Sequence, residues 1–383
     1  MSKIKILRYF LVVFFIVILT LSYFVYRLLS FYNKAYKGSN SNFVQVLNQP
    51  PQKQEKQIFN ILLLGYGGPG HDGAYLTDTI ILAHIDKVKK QIILISIPRD
   101  LLVTVPHKQY GFIRAKINSL YQTLLFSDRY NYIPDEYKNS SPVKLLSEKL
   151  KTITGYEVDY YLAVDFAGFV KVVDTLGGIS VKLDKPIEDF HYPVEGKEND
   201  LCGYTNEALA TLEAQIKESP ESVFPCRYER FYLPAGVNNL DGATALKLVR
   251  SRKGLNSGGD FGRAERQQKV IQAIVEKSLK LNIIPKIPQL LSDLEGKVSF
   301  DIPLTLIKQN LDEVYKFSEY QIKNIVLSTD NVLTYKVDPE VGYVLYPKTG
   351  VNDWGSVSDY IKTEIENLSA TDSGSLQIAP VKQ

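Results

Sequence analysis

Three short runs rich in branched aliphatic residues, Ile58 to Gly65, Thr79 to Ile85 and Gln91 to Ile97, follow one another closely, the last two separated only by the charged turn Asp86-Lys-Val-Lys-Lys90. Runs of this length and composition suit strands buried on at least one face. Pro142 to Thr154 then carries a helical apolar pattern through Val143, Leu145, Leu146 and Leu150. Asp159 to Val164 reads as a strand and Asp165 to Leu176 as a helix, which leads through Gly177-Gly178 to a strand at Ile179 to Leu183. Interleaved strands and helices predict an α/β layer structure around one core. Asp241 is placed to cap a helix after the turn Gly236 to Leu240, and a second helix is expected from about Arg263 to Leu281, with Ile271, Ile274, Val275 and Leu279 as its buried stripe. Pro285 to Leu327 reads as two more helices and a strand. Asp189 to Arg230, acidic and proline-containing, reads as an insertion or long surface loop.

The N-terminal region sets the address. Lys3, Lys5 and Arg8 precede an apolar run from Tyr9 to Tyr26, broken only by Thr20 and Ser22 and closed by Arg27. That is long enough to cross a hydrocarbon core as a helix. No small-x-small cleavage site follows it, so an uncleaved signal anchor is favoured over a cleaved signal peptide. The flanking cations place residues 1–8 in the cytoplasm and the chain beyond the span outside, as a single-pass protein of the cell membrane. Residues 9–27 are then the anchor, 28–57 a stalk (polar from about Gly38 to Lys56), 58–284 an extracytoplasmic domain, 285–367 its C-terminal extension, and 368–383 a disordered tail. With 45 Lys+Arg against 42 Asp+Glu there is no basic excess to suggest nucleic acid as a partner. In an oxidising compartment Cys202 and Cys226 can close a disulfide, the other reading being two unpaired thiols. The scattered histidines and cysteines form no zinc-site spacing.

The chemistry-bearing residues gather in four segments. Leu248 to Gln268 holds Arg250, Arg252, Asp260, Arg263, Arg266 and Gln267 around a glycine-rich turn. Arginine presents a planar, permanently charged fork that matches phosphate oxygens, so such a cluster points to a phosphate ligand, although a solvated basic helix has the same composition. Leu62 to Ile80 is a strand, a glycine-rich loop and Asp78. Ser96-Ile-Pro-Arg-Asp-Leu101 ends the third strand on Arg99 and Asp100, and Lys116-Ile-Asn-Ser-Leu120 carries Lys116 and Asn118. Each alone is a weak signal. A glycine-rich loop is often only a turn, and Arg-Asp at a strand end is often a structural ion pair.

In this order, behind a signal anchor, the segments resemble the LytR-CpsA-Psr family of bacterial cell-envelope proteins, from about Phe59 to Leu281. The resemblance implies a central mixed sheet packed between helices in three layers, with an apolar tunnel for a lipid tail. It implies a membrane-anchored phosphotransferase dependent on Mg2+ (or Mn2+), moving a glycopolymer such as teichoic acid or capsule from a polyprenyl-pyrophosphate carrier to peptidoglycan through a phosphodiester. By that similarity Arg99, Arg250, Arg252 and Arg263 would clamp the pyrophosphate and Asp78 would bind the metal. Asp100, Lys116, Asn118, Asp260, Arg266 and Gln267 would support or contact the substrate, and the partners would be the lipid-linked glycan, peptidoglycan and membrane lipid.

Two positions depart from the family pattern. Where the family has an aspartate after the first strand's glycine, and an arginine two residues before the next aspartate, this chain has Tyr66 and Leu76. Asp72, or His71, in the Gly-Pro-Gly-His-Asp-Gly loop is the candidate replacement ligand, against an ordinary surface turn. Two other readings stay open: the same clamp would serve a polyprenyl-pyrophosphate hydrolase with water as acceptor, and the substitutions at Tyr66 and Leu76 would suit a non-catalytic scaffold for lipid-linked polymer. Trp354, Tyr343 and Tyr346 read as core rather than as sugar-stacking residues. His107 and His191 are assigned no role.

Overall fold

The computed structural model describes residues 23, 25–38, 56–71, 73–254, 259–280, 287–310, 313, 316 and 319–373. The three apolar runs form strands β1 (Ile58–Tyr66), β2 (Thr77–Asp86) and β3 (Gln91–Ser96), with β1 antiparallel to β2 and β2 antiparallel to β3. The Asp86 carboxylate accepts from the backbone N–H groups of Val88 and Lys89, both at 2.9 Å, which closes the predicted turn. A hairpin follows, β4 (Leu102–His107) with β5 (Gly111–Lys116), and then helices α1 (Leu120–Leu125) and α2 (Lys144–Thr154). Strand β6 (Tyr160–Asp165) runs parallel to β1 and ends on Asp165, whose carboxylate caps α3 (Phe166–Thr175) by accepting from Gly168 N at 2.7 Å.

The second half builds a smaller layer. Strand β7 (Ile179–Leu183) pairs with β10 (Gly236–Leu240), and β8 (Ile187–Pro193) pairs with β9 (Tyr228–Leu233). Helix α4 (Gly242–Arg250) is capped by Asp241 as predicted, through Thr244 N at 2.7 Å, and the long helix α5 (Gly259–Lys280) follows. Gly242 is required where α4 meets α3, because a Cβ there would lie 2.4 Å from the Val170 carbonyl oxygen. The C-terminal part adds α6 (Ile287–Asp293), β11 (Val298–Phe300), α7 (Leu304–Gln309), β12 (Gln321–Val326), the hairpin β13 (Leu333–Asp338) and β14 (Gly342–Pro347), and α8 (Gly355–Ser373).

The central sheet has six strands in the order β11-β6-β1-β2-β3-β12, mixed in direction, with helices on both faces. On one face Leu62, Leu64, Leu82, Ile93 and Ile95 pack against α1, α2 and α8 through Leu120, Leu150 and Ile361. On the other, Ile81, Ala83, Ile92 and Leu94 meet Ile271 of α5. A second core joins β7 to β10 with α3, α4 and α5 through Val173, Val181, Phe231, Leu248 and Val270. All six residues of β3 are buried, as expected for a strand covered on both faces.

Several expectations need correction. Residues 28–57 are not all stalk: residues 25–35 are helical, Phe31, Tyr32 and Tyr36 pack their rings on Phe300, and Lys37 N donates to Phe300 O at 2.7 Å. Aromatic side chains and an unpaired strand edge draw this segment onto the domain. No helix among the described residues is long and apolar enough to cross a membrane, and the expected span at 9–27 lies almost wholly outside them. Helix α5 buries Val270 and Ala273 more deeply than Ile271, Ile274 and Val275. It faces two layers at once, so its buried stripe is rotated toward its polar residues. Among the described residues between Pro285 and Leu327 there are two strands rather than one, both recruited to sheet edges. The supposed loop at Asp189 to Arg230 has its two ends paired as β8 and β9, with three short helices over 206–223 between them. The expected tail at 368–383 is helical as far as Ser373, and its remainder lies outside the described residues.

Cys202 and Cys226 are bonded, with Cα atoms 5.7 Å apart, closing the excursion between β8 and β9. Their joint replacement by serine should lower unfolding stability by about 3 kcal/mol, the loop-closure entropy of a ring this size. Thermal denaturation checks this, since reductant should bring the wild type down to the variant and leave the variant unmoved. His84 offers a second test. It is buried opposite Asn60 and donates from Nδ1 to Asn60 Oδ1 at 2.8 Å; burial holds its pKa below the ordinary 6.5. The unfolded chain therefore takes up a proton first as pH falls past about 6.5, and stability should decline from there until the folded imidazole also titrates. Denaturant titrations between pH 7 and pH 5 should show a shallower decline for His84→Gln.

Candidate active site

Two clefts meet at the C-terminal end of β3 and the start of β2. The larger, of about 500 Å3, is lined by Asp78, Arg99, Arg250, Arg252, Lys253 and Arg263, walled by Phe166, Asp189, His191, Tyr192 and Tyr228. The smaller, of about 260 Å3, is lined mainly by apolar side chains, among them Ile80, Ile97, Phe261, Val326, Leu327 and Leu345, with Asp100 and Tyr343 at its edge. Asp78, Arg99, Arg263 and Gln267 line both and so mark the junction. In the polar cleft five cationic side chains face two carboxylates, an imbalance that suits a multiply charged anion.

The sheet supplies the junction. Arg99 reaches from the end of β3 to pair with the Asp78 carboxylate, and its Nε lies 3.4 Å from Asp100 Oδ2. Lys116 Nζ pairs with Asp100 Oδ1 at 2.8 Å, while Asn118 N donates to Arg99 O at 3.3 Å and Thr77 Oγ1 donates to Asn118 O at 3.2 Å. Lys116 and Asn118 therefore line neither cleft. Their contacts hold Asp100 and the Arg99 backbone in place, which corrects their expected role as substrate contacts.

The arginine loop is held by charges buried behind it. Where α4 ends, Arg266 donates to Leu248 O at 3.1 Å and to Ser251 O at 2.5 Å, and Gln267 donates to Val249 O at 3.4 Å. These are carbonyls that a helix terminus leaves unpaired. Arg266 is buried and lines neither cleft; desolvation pulls its pKa down to about 10. It is a support for the loop rather than a ligand contact, a second correction. Gln268, one residue on, turns the other way and bridges Leu94 O and Ser96 Oγ of β3, at 2.9 and 2.8 Å, to Ile325 O of β12 at 3.4 Å. Helix α5 is thereby pinned to the sheet with Arg263 over the junction. Arg250 lays its guanidinium 4.7 Å from the Phe166 ring, in cation–π contact.

Asp189 is the residue that sequence reasoning missed. It is 2% exposed, and its Oδ2 accepts from Ser251 Oγ at 2.7 Å, Arg252 N at 3.2 Å and Lys253 N at 3.3 Å. Only a signal that tied positions some sixty residues apart would have found it. Asp72 and the side chain of Asp260 lie outside the described residues. Tyr66, in place of the family's usual aspartate, is buried among Tyr75 and Tyr121, and burial raises its phenol pKa well above the ordinary value. It extends the aromatic core and offers no anionic ligand. His71 packs edge-on to Phe166, with Nε2 3.9 Å from Glu195 Oε1, and lines neither cleft. Trp354 is buried in the main core as expected.

The two kinds of arginine are separable by experiment. Arg266→Met should cost on the order of 1.5–3 kcal/mol of unfolding stability, since charge-assisted hydrogen bonds to buried carbonyls are lost. Arg250→Met should leave stability within about 0.5 kcal/mol, as for a replacement away from buried networks. Chemical denaturation of the two variants provides the comparison.

Known proteins place this geometry. The chain is 25% identical over 280 residues to the polyisoprenyl-teichoic acid–peptidoglycan teichoic acid transferase TagV of Bacillus subtilis (strain 168), a match covering 72% of this chain and 56% of TagV, so it spans little more than half of that relative's length. It is 23% identical over 291 residues to the corresponding transferase TagU of Enterococcus faecalis (strain ATCC 700802 / V583), covering 74% of this chain and 76% of TagU. The crystal structure of protein gbs0355 from Streptococcus agalactiae shares the fold, with a TM-score of 0.53 at 23% identity over 81% of this chain and 88% of that one. The sequence match to the LytR_cpsA_psr family runs over residues 24–346, from the N-terminal helix to strand β14 and across both clefts, and the chain belongs to that family.

Proposed function

We propose that this chain is a membrane-anchored, extracytoplasmic phosphotransferase that moves a glycopolymer from a polyprenyl-pyrophosphate carrier to peptidoglycan and leaves a phosphodiester link. One observation carries the reading: Asp78, Arg99, Arg263 and Gln267 stand where a basic cleft meets an apolar one. A diphosphate bearing a sugar on one side and an isoprenoid on the other has the same division of polarity. The transferase names of TagV and TagU support the same class of reaction.

The residues act mainly by position and charge. Attack on a pyrophosphate gathers negative charge on the transferring phosphoryl oxygens and on the departing phosphate, and preorganised guanidinium groups stabilise both. Arg99 and Arg263 would hold the phosphates at the junction, with Arg250 and Arg252 on the side of the sugar. Asp100 and Lys116 keep Arg99 from swinging out. Among the described residues no group of carboxylates converges at the clefts: the one potential ligand group, Asp200 with Cys202 and Cys226, has both sulfurs in the disulfide. Asp78 alone still suits Mg2+ (or Mn2+), which commonly binds through one or two carboxylates, water and substrate phosphates. Bound there, the ion would neutralise phosphate charge.

The full-length protein should transfer label from a short-chain polyprenyl-pyrophosphate disaccharide to peptidoglycan oligosaccharides only when Mg2+ is present. Arg99→Ala and Arg250→Ala should each lower kcat by about 10²–10³ while remaining folded by circular dichroism. Metal-dependent release of lipid phosphate without any acceptor would identify a hydrolase instead. Tight donor binding without turnover would identify a scaffold.

A further inference from the structure

Strand β8 carries an irregularity that the phosphate clamp does not use. Asp189 pairs with Phe231 and Tyr192 with Glu229, so Phe190 and His191 together face the single residue Arg230. This is a β-bulge, which re-aims the side chains on its strand and recurs beside active sites. In regular alternation His191 would share the buried face of Ile187 and Asp189; with the bulge Tyr192 is buried and His191 is exposed on the wall of the polar cleft. Its backbone is fixed as well. His191 N donates to Asp189 Oδ1 at 3.0 Å, while the other oxygen of that carboxylate holds Ser251, Arg252 and Lys253. One buried carboxylate thus ties the His191 backbone and the arginine loop together.

Resting on the function proposed above, we infer that His191 is the general base that takes the proton from the attacking acceptor hydroxyl. The other groups of the cleft are poorly placed for that task. Asp78 is paired with Arg99, Asp189 is saturated with hydrogen bonds, and burial raises the pKa of Tyr192. The remaining three histidines line neither cleft: His84 lies in the sheet, His107 accepts from backbone N–H groups of the β4–β5 turn, and His71 faces Phe166. An imidazole is also the side chain suited to exchange a proton near neutral pH. His191 has Tyr228 of β9 edge-on at 6.1 Å, shares the cleft wall with Arg252 and Lys253 of the loop, and Lys253 is paired in turn with Glu221 of the short helix Pro220–Val223 at 3.2 Å.

The step balances without a further reactant. The acceptor oxygen bonds to the phosphorus next to the glycan as its proton passes to a ring nitrogen of His191. The bond from that phosphorus to the bridging oxygen breaks, and polyprenyl phosphate departs with the electron pair. The imidazolium then returns its proton to water.

The test uses the full-length chain with the synthetic donor and peptidoglycan oligosaccharides, over a range of pH. His191→Gln should lower kcat about 10²-fold with KM for the donor unchanged, general-base contributions being of order 10²–10⁴. The acidic limb of the wild-type profile should vanish, and added imidazole should restore part of the activity of His191→Gly. A His191→Gln enzyme within twofold of wild type at every pH would overturn the assignment. Should the wild type release lipid phosphate to water instead of transferring glycan, the same loss and the same missing limb would uphold His191 as base while the transferase reading fell. A wild type that does neither would overturn both.

Discussion

Helix α4 ends in the interior, beside the clefts, and the site is built on how that end is satisfied. A helix terminus leaves carbonyls without intrahelical partners, and burying them bare costs about 1–3 kcal/mol apiece. Arg266 and Gln267 donate to those carbonyls, and Asp189 accepts the N–H groups that follow. The chain between Arg250 and Lys253 is thereby held with little latitude. Its arginines then need not be ordered when an anion arrives, which is the entropic advantage of a preorganised site.

The same network explains why so many polar side chains are buried along α5. Arg263, Arg266, Gln267 and Gln268 are all buried, on the stretch of helix between the sheet and the second core. Each serves a different neighbour: Arg263 and Gln267 line the junction, Arg266 supports α4, and Gln268 bridges β3 and β12. An apolar helix would pack as well but would leave the end of α4 unpaired. Stability and function therefore draw on one run of residues.

Much of the architecture was legible along the chain. The apolar runs of β1, β2 and β3, the cap at Asp241 and the turn at Asp86 are local patterns, and local patterns survive folding when the core agrees with them. Legibility failed where an element answers to two neighbours. The apolar stripe of α5 was misread because the helix faces both the sheet and the second core, and the segment from Asp189 to Arg230 was misread because its strands pair across an excursion of more than thirty residues. Among the candidate residues, Arg99, Arg250, Arg252, Arg263 and Asp78 line one cleft. Lys116 and Arg266 are cations too, but one pairs with Asp100 and the other holds the carbonyls at the end of α4. Charge type alone does not distinguish the two uses.

The sequence by itself determined the strands and helices, the order of the four motif segments and, through them, the family, because periodicity and residue chemistry are properties of neighbours along the chain. Only the tertiary structure decided which cations reach solvent and which cap a helix, that Tyr66 joins an aromatic core, and that Asp189 anchors a loop some sixty residues away. It also decided that a bulge turns His191 into the cleft. Each of these depends on burial and on partners distant in sequence, and desolvation is set by what packs around a group rather than by what precedes it in the chain.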